Sequence, residues 1–114
     1  MFNSGGENVY PKEVENVLLK HADVVHAAVV PHAHPEKGEV PVAMVVLAPG
    51  SQADERRLRA HCLAHGPAYA HPRRIVIAEA LPLSGVNKID YRRLKIELGA
   101  LPLYPERESV AGQG

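Results

Sequence analysis

Two apolar runs decide the fold: Val-Val-His-Ala-Ala-Val-Val at residues 24–30 and Val-Pro-Val-Ala-Met-Val-Val-Leu at residues 40–47. Both are rich in β-branched residues, which pack well on a pleated surface, so each is predicted to form a strand. Pro31 is expected to end the first strand. Pro41 lies near the start of the second, where a missing N–H donor is tolerated. A third, shorter strand is predicted over residues 75–78.

Helical patterns surround these strands. Pro11 suits the first turn of a helix, and Glu13 and Glu15 favour the positive end of its dipole. The apolar positions that follow have helical spacing and predict one buried stripe. The members of that stripe are Val14, Val17, Leu18 and His21.

Two more helices follow along the chain. Ser51 and Asp54 are spaced as a weak capping box ahead of a helix over residues 53–65, which would bury Leu58 and Cys62. Gly-Pro at 66–67 ends this helix. Asp90 is predicted to cap the last helix, which would place Tyr91, Leu94 and Leu98 on one face.

The predicted order is helix, strand, strand, helix, strand, helix, and residues 8–10 can form a short strand ahead of them. Runs of this kind around a small sheet indicate an α+β fold. Residues 1–100 are predicted to form one domain. Residues 101–114, where two prolines flank a polar segment, are predicted to be a flexible tail.

Composition excludes several classes of protein. Lys plus Arg equals Asp plus Glu at 13 each in 114 residues, so no charge excess points to nucleic acid. No apolar run approaches the ~18 residues of a membrane span, and the N-terminus lacks the pattern of a signal peptide. The single cysteine, Cys62, allows no internal disulfide. These features together predict a cytoplasmic protein.

Two polar segments are candidates for function. Lys88 follows Leu-Ser-Gly-Val-Asn on a turn between the third strand and the last helix, which places an ammonium at a loop tip near a helix N-terminus. Gly85 and Asn87 tolerate unusual backbone angles there. At the other end of the chain, Gly5 and Gly6 precede Glu-Asn-Val-Tyr-Pro. Taken alone, a turn lysine is commonly solvated and a Gly-Gly pair is commonly a flexible leader.

In this order and at this separation, the two segments resemble the C-terminal domain of the acyl-CoA synthetase branch of the adenylate-forming enzymes, over residues 3 to about 98. The resemblance implies a three-stranded sheet with helices on both faces, preceded by a short hairpin. It also implies that ATP and coenzyme A are substrates. Lys88 would contact the acid's carboxylate and the α-phosphate during adenylation. Gly5 and Gly6 would line the path of the CoA pantetheine arm.

The chain also departs from that family. Asn87 stands where a glycine is common, and Ala70 stands where a lysine is common. The second departure weakens any assignment of Arg73 and Arg74 to CoA phosphates, which therefore stays open.

The resemblance implies a partner as well: the large N-terminal adenylation domain, in cis or in trans, with its ATP, acid and Mg²⁺. Nothing in this sequence resembles that domain, so the sequence is expected to be a fragment or a separately made lid that begins just after the hinge. Alone, it is expected to bind no cofactor tightly and to be inactive.

Two alternatives remain. The lid could serve an adenylation enzyme that loads a carrier protein, although Gly-Gly-Glu-Asn favours CoA. It could be a stand-alone binding or regulatory module with the lid fold. A metal site is not expected, since His61 and His65 have no glutamate between them and no further ligand at a recognised spacing.

Overall fold

The computed structural model describes residues 1–104, which contain seven strands and three helices. The strands are β1 (Phe2–Ser4), β2 (Glu7–Val9), β3 (Val24–His34), β4 (Gly38–Leu47), β5 (Ile75–Ile77), β6 (Leu83–Gly85) and β7 (Lys88–Ile89). The helices are α1 (Pro11–Leu19), α2 (Glu55–His65) and α3 (Tyr91–Gly99), and a short 3-10 helix covers Ala68–Ala70.

One long antiparallel ribbon forms the centre of the domain. β3 pairs with β4 from Val24 opposite Leu47 to His34 opposite Gly38. β5 adds parallel to β4 on its other side, and the β1–β2 hairpin joins the same strand through Ser4. The predicted α+β class, with a three-stranded core sheet and a preceding hairpin, is confirmed; the hairpin extends this sheet to five strands.

Helices cover both faces of the sheet, as expected. Because successive side chains of a strand point to opposite faces, each long strand contributes to two cores. The core under α1 and α2 includes Val29 and Val45, and the core under α3 includes Val30 and Val42. The continuous apolar runs of β3 and β4 thus follow from burial on two faces.

The prediction that Pro31 ends the first strand is wrong, because β3 continues to His34. Pro31 pairs with Pro41, and the carbonyl of Pro41 accepts from Arg73 N on the opposite side of β4. The backbone of Pro31 therefore faces the open edge of the sheet, where a missing N–H removes no ladder hydrogen bond.

The helix boundaries follow side-chain caps. α2 begins at Glu55 rather than at residue 53, because Asp54 is its N-cap and accepts from Arg57 N at 2.8 Å. Ser51 instead donates to Asp23 at 2.8 Å. Asp90 caps α3 as predicted, accepting from Arg93 N at 3.0 Å.

Residues 101–104, which the sequence assigns to the tail, contact the domain. Leu101 and Leu103 pack against the core under α3, and the carbonyl of Leu101 lies 2.7 Å from His32 Nε2. Tyr104 donates to Glu55 at 2.6 Å. The rest of the predicted tail, 105–114, lies outside the described residues. Within residues 1–104, no helix has the length and apolarity needed to cross a membrane.

Candidate functional site

Lys88 lies on a hairpin of its own. β6 and β7 form a separate two-stranded sheet in which Gly85 pairs with Lys88, so Val86 and Asn87 form the turn. Asn87 has a φ of 57°, a left-handed conformation that asparagine tolerates better than most residues. The predicted loop tip is therefore the first position after a tight two-residue turn.

The end of this hairpin is open to solvent. Lys88 is exposed, and Val86 is 93% exposed. No acidic side chain among residues 1–104 forms an ion pair with Lys88. Its ammonium therefore has no charge partner within the part of the domain that is described.

The base of the hairpin is tied to α3. Asp90 N donates to the carbonyl of Pro82 at 2.8 Å, directly before α3 begins. An apolar groove of about 630 Å³ lies between the hairpin and one end of the central ribbon, with Leu83 and Ile89 on one wall and Val46 and Leu47 on the other. The hairpin therefore stands at the end of the ribbon where β3 begins and β4 ends.

Gly5 and Gly6 form the turn of the first hairpin. Ser4 pairs with Glu7, and the glycines have φ values of 56° and 90°, as a type I′ turn requires at both central positions. Gly6 N also donates to Asn3 Oδ1 at 2.9 Å. Turn geometry alone is thus a sufficient structural reason for both glycines.

This first hairpin is fixed to the body of the domain at both of its ends. Phe2 and Val9, at its base, are buried in the core under α1 and α2. At its tip, Gly5 N donates to the carbonyl of Lys37 at 3.0 Å. A Cβ on Gly5 would lie 3.4 Å from Lys37 Cγ, whereas a Cβ on Gly6 would meet nothing within 4 Å.

The two candidate turns lie at opposite ends of the central ribbon. Gly5 contacts the turn that joins β3 to β4, and the Lys88 hairpin adjoins Val46 and Leu47 at the far end of β4. At about 3.3 Å per residue, β4 alone separates them by ~30 Å. The two turns therefore cannot lie at one reaction centre at the same time.

Arg73 and Arg74 both make contacts within the domain. The buried guanidinium of Arg73 donates to the carbonyls of Tyr69 and His71. Arg74 donates to Glu55 at 3.0 Å and to the carbonyl of Pro102 at 2.6 Å. Burial acts to raise the pKa of Glu55. Hydrogen bonds from Tyr104, Ile75 N and Arg74 outweigh burial, so the pKa of this carboxyl is lowered.

Sequence reasoning missed a buried carboxylate. Glu15, predicted only to favour the helix dipole, is 3% exposed and accepts from Val29 N at 3.0 Å and from Tyr91 at 2.8 Å. Burial and this carboxylate raise the pKa of Tyr91 to about 12. Glu15 thereby joins α1, the open edge of β3 and α3. Its position next to Val14 and three residues before Leu18, both on the predicted stripe, was the available signal.

The histidines on α2 make backbone contacts. His61 Nε2 lies 2.7 Å from the carbonyl of Val17, and His65 Nδ1 lies 2.9 Å from the carbonyl of His61. Among the described residues, no three His, Cys, Asp or Glu side chains are arranged to hold a metal ion. Cys62 is buried, and this burial raises the pKa of its thiol to about 11.

The fold and its two turns define a small α+β domain that presents one loop at each end of a central ribbon. The chain belongs to the family of AMP-binding enzyme C-terminal domains, whose model matches residues 13–88. Lys88 is the last matched residue, and Gly5 and Gly6 precede the match.

Several known proteins are similar to this chain. It is 46% identical over 92 residues to a 2-succinylbenzoate–CoA ligase of Geobacillus kaustophilus, covering 81% of the chain and 19% of that protein. The apo structure of MatB from Rhodopseudomonas palustris superimposes with a TM-score of 0.80 at 27% identity, over 87% of this chain and 20% of that one.

A third relative bears a different kind of name. The amide bond synthetase McbA from Marinactinospora thermotolerans has a TM-score of 0.76 and 36% identity, over 81% of this chain and 19% of its own. In each comparison the chain spans about a fifth of the relative's length.

Proposed function

We propose that this domain is the catalytic lid of an ATP-dependent acid–CoA ligase. In the first half-reaction a carboxylate attacks the α-phosphate of ATP, which yields an acyl-adenylate and releases pyrophosphate. In the second, the CoA thiol attacks the acyl carbon and AMP leaves. The lid would serve the first half-reaction with Lys88 and the second with the Gly5–Gly6 turn.

The observation that carries this proposal is the placement of the two turns at opposite ends of one rigid ribbon. A single domain with two such ends can serve two consecutive steps only by turning between them. The family match and the CoA ligase among the relatives support the choice of reaction. The acid itself would be selected in the adenylation domain.

Lys88 suits the adenylation step because its ammonium is exposed and has no ion-pair partner among residues 1–104. Negative charge in that transition state spreads over carboxylate and phosphate oxygens. At 4 Å and an effective dielectric constant near 20, an ammonium and a phosphate attract by up to ~4 kcal/mol before desolvation is subtracted. This is sufficient for a catalytic contribution.

The Gly5–Gly6 turn suits the thioester step because the space above Gly6 is open. A thin pantetheine arm could pass against the backbone there, whereas a larger side chain would project into its path. The anchored base and tip of this hairpin would hold that wall in place while CoA enters.

The partner in both steps is the N-terminal adenylation domain, in cis or in trans. That domain would hold ATP, the acid and Mg²⁺. The chain alone would be inactive and would bind ATP and CoA weakly. Isothermal titration that showed micromolar affinity of this chain for ATP would contradict this. The single buried cysteine is in keeping with a cytoplasmic enzyme.

A chimera tests the proposal. This chain would replace the matched C-terminal segment of the Geobacillus 2-succinylbenzoate–CoA ligase, and the product is called here the assembled ligase. Formation of the CoA thioester from acid, ATP and CoA, compared with the truncated adenylation domain, is the readout. A folded chimera no more active than the truncated protein would favour a non-catalytic binding module.

A second acceptor has one supporting observation: the structural similarity to McbA, an amide bond synthetase by name. Carrier-protein loading would be a third choice of acceptor. Offering the same acyl-adenylate to CoA, to an amine and to a phosphopantetheinylated carrier protein distinguishes these acceptors. We expect CoA to react fastest.

A further inference from the structure

The turn between β3 and β4 is shaped by a buried histidine. His34, the last residue of β3, is 8% exposed, and its Nδ1 accepts hydrogen bonds from Glu36 N at 3.1 Å and Lys37 N at 3.0 Å. A nitrogen that accepts two N–H bonds carries no proton, so the ring acts here as a fixed acceptor. These two bonds set the path of residues 35–37.

The turn between β3 and β4 also holds the Gly5–Gly6 hairpin. The carbonyl of Lys37 accepts from Gly5 N at 3.0 Å, and the next residue, Gly38, pairs with Ser4. Among residues 1–104, Ser4 and Gly38 are the only strand-paired residues that join the hairpin to β4. The tip of the hairpin therefore rests on the segment whose course His34 determines.

We infer that His34 is the positioning residue of the Gly5–Gly6 turn, and that it sets the second half-reaction without taking part in the first. This inference rests on the proposed function of that turn. His34 lies at the opposite end of the ribbon from Lys88, so its removal does not disturb the adenylation loop. Its effect is confined to the transfer of the acyl group to CoA.

Three variants of the assembled ligase test this role. His34→Leu removes the acceptor and puts an apolar side chain of similar size in its place. His34→Asn restores an acceptor at the same distance from the backbone, because asparagine Oδ1 accepts from N–H groups further along a turn. Gly6→Leu, in the same background, reports on the glycine turn itself.

Pyrophosphate exchange measures adenylation, and thioester formation from a supplied acyl-adenylate measures transfer. For His34→Leu we expect transfer to fall about tenfold or more, since small displacements of reacting groups have effects of this size, while adenylation keeps its rate. His34→Asn should restore most of the transfer. If His34→Leu fails to fold, His34→Gln, whose acceptor is displaced by one bond, replaces it.

Amide hydrogen exchange on the 114-residue chain gives an independent readout. In His34→Leu the amides of Glu36, Lys37 and Gly5 should exchange faster, whereas the amide of Val29, bound to Glu15, should not. Unchanged exchange at Gly5 would overturn the inference.

The outcomes also separate the inference from the function it rests on. Loss of transfer in Gly6→Leu but not in His34→Leu overturns the role of His34 and leaves the glycine turn in place. Normal transfer in both variants overturns the function of the turn and the inference with it. Equal losses of adenylation and transfer in His34→Leu would make His34 a residue of general stability only.

Discussion

The two candidate turns have similar backbones and different attachments. Each has two central residues and at least one in the left-handed region: Gly5 and Gly6 in one, Asn87 in the other. The first hairpin is part of the main sheet and is held at base and tip. The second forms a separate sheet, and its tip, Val86, is almost fully exposed.

The difference indicates two mechanical roles. A turn fixed to the sheet can form the wall of a passage, because its position is set by the core and by the β3–β4 turn. A hairpin held only at its base can project into another domain's site. Under the proposed function, the same short motif would serve two steps, and its attachment would decide which one. The predictions below test this contrast.

The largest effect is expected from Lys88→Ala in the assembled ligase. Loss of one preorganised charge from the adenylation transition state typically costs ~10²–10³ in rate. Transfer from a supplied acyl-adenylate should stay near normal, because in the proposed mechanism the lid would turn Lys88 away before CoA enters. Paired half-reaction assays on the one variant measure both.

Lys20→Ala is the matched control, since Lys20 is also exposed but lies at the C-terminal end of α1. It should leave both half-reactions unchanged. The melting temperature of both variants should stay near that of the parent, because surface changes usually remain within about ±0.5 kcal/mol. Normal adenylation in a folded Lys88→Ala variant would remove the projecting hairpin from the mechanism.

Gly6→Leu should show the opposite pattern, with transfer reduced by about ten- to a hundredfold and adenylation retained. Gly6 has a φ of 90°, so part of any effect is backbone strain. Gly50→Leu controls for this, because Gly50 has a φ of 80° and equally open space around it. If both variants lower transfer equally, strain and not a blocked passage is responsible.

Asn87 tests how far the shape of the projecting turn matters. Asn87→Val places a β-branched residue at a φ of 57°, which costs on the order of 1–3 kcal/mol locally. Adenylation should fall several-fold, while transfer should be unaffected. Asn87→Gly, which relieves the backbone, should keep both rates. Equal adenylation in the two variants would mean that Lys88 needs no defined turn.

Tyr91→Phe gives the smallest expected effect, on the helix that carries the second hairpin. It removes a hydrogen bond to the buried Glu15 carboxylate, and the free energy of unfolding should fall by about 1–2 kcal/mol. This is the lower part of the range for hydrogen bonds to charged groups, because Tyr91 is 38% exposed. Chemical denaturation of the isolated chain measures this. Glu97→Gln, which removes an exposed ion pair with Arg93, should change it far less.

The pH dependence of the same contact has a definite sign. The pKa of Tyr91 in the folded state is raised from its ordinary value of 10.0 to about 12, so the folded state holds this proton more tightly than the unfolded state. Its stabilisation is complete below pH 10 and is lost as pH rises towards 12. Tyr91→Phe should flatten the dependence of the free energy of unfolding on pH in this range. The contribution of the Cys62 thiol, whose pKa is about 11, should remain.

Local patterns predicted most of the fold. The apolar runs gave β3 and β4, and the apolar stripe and capping residues gave the helices, because burial and caps are encoded over a few residues. The prediction that Pro31 ends a strand was wrong, because the effect of a missing N–H depends on which edge of the sheet the proline faces. Glu15 has two hydrogen-bond partners, Val29 and Tyr91. They could not be predicted, since they lie 14 and 76 positions away along the chain.

The candidate site divides in the same way. Lys88, Gly5 and Gly6 could be chosen as candidates from sequence, because glycine and asparagine mark turns. Their separation could not, since it depends on the register of β3 against β4. The contribution of His34 was also hidden, because its two bonds to the backbone of the next turn are visible only in three dimensions.

The open edge of β3 has a further consequence. Along this edge Pro31 has no N–H to offer, and the N–H of Val29 is already taken by Glu15. A strand from another molecule would find neither donor free, and exposed sheet edges are where foreign strands add and fibres begin. If the domain turns between two positions as proposed, this edge would be uncovered each time, and these two positions would offer a foreign strand no donor while it is.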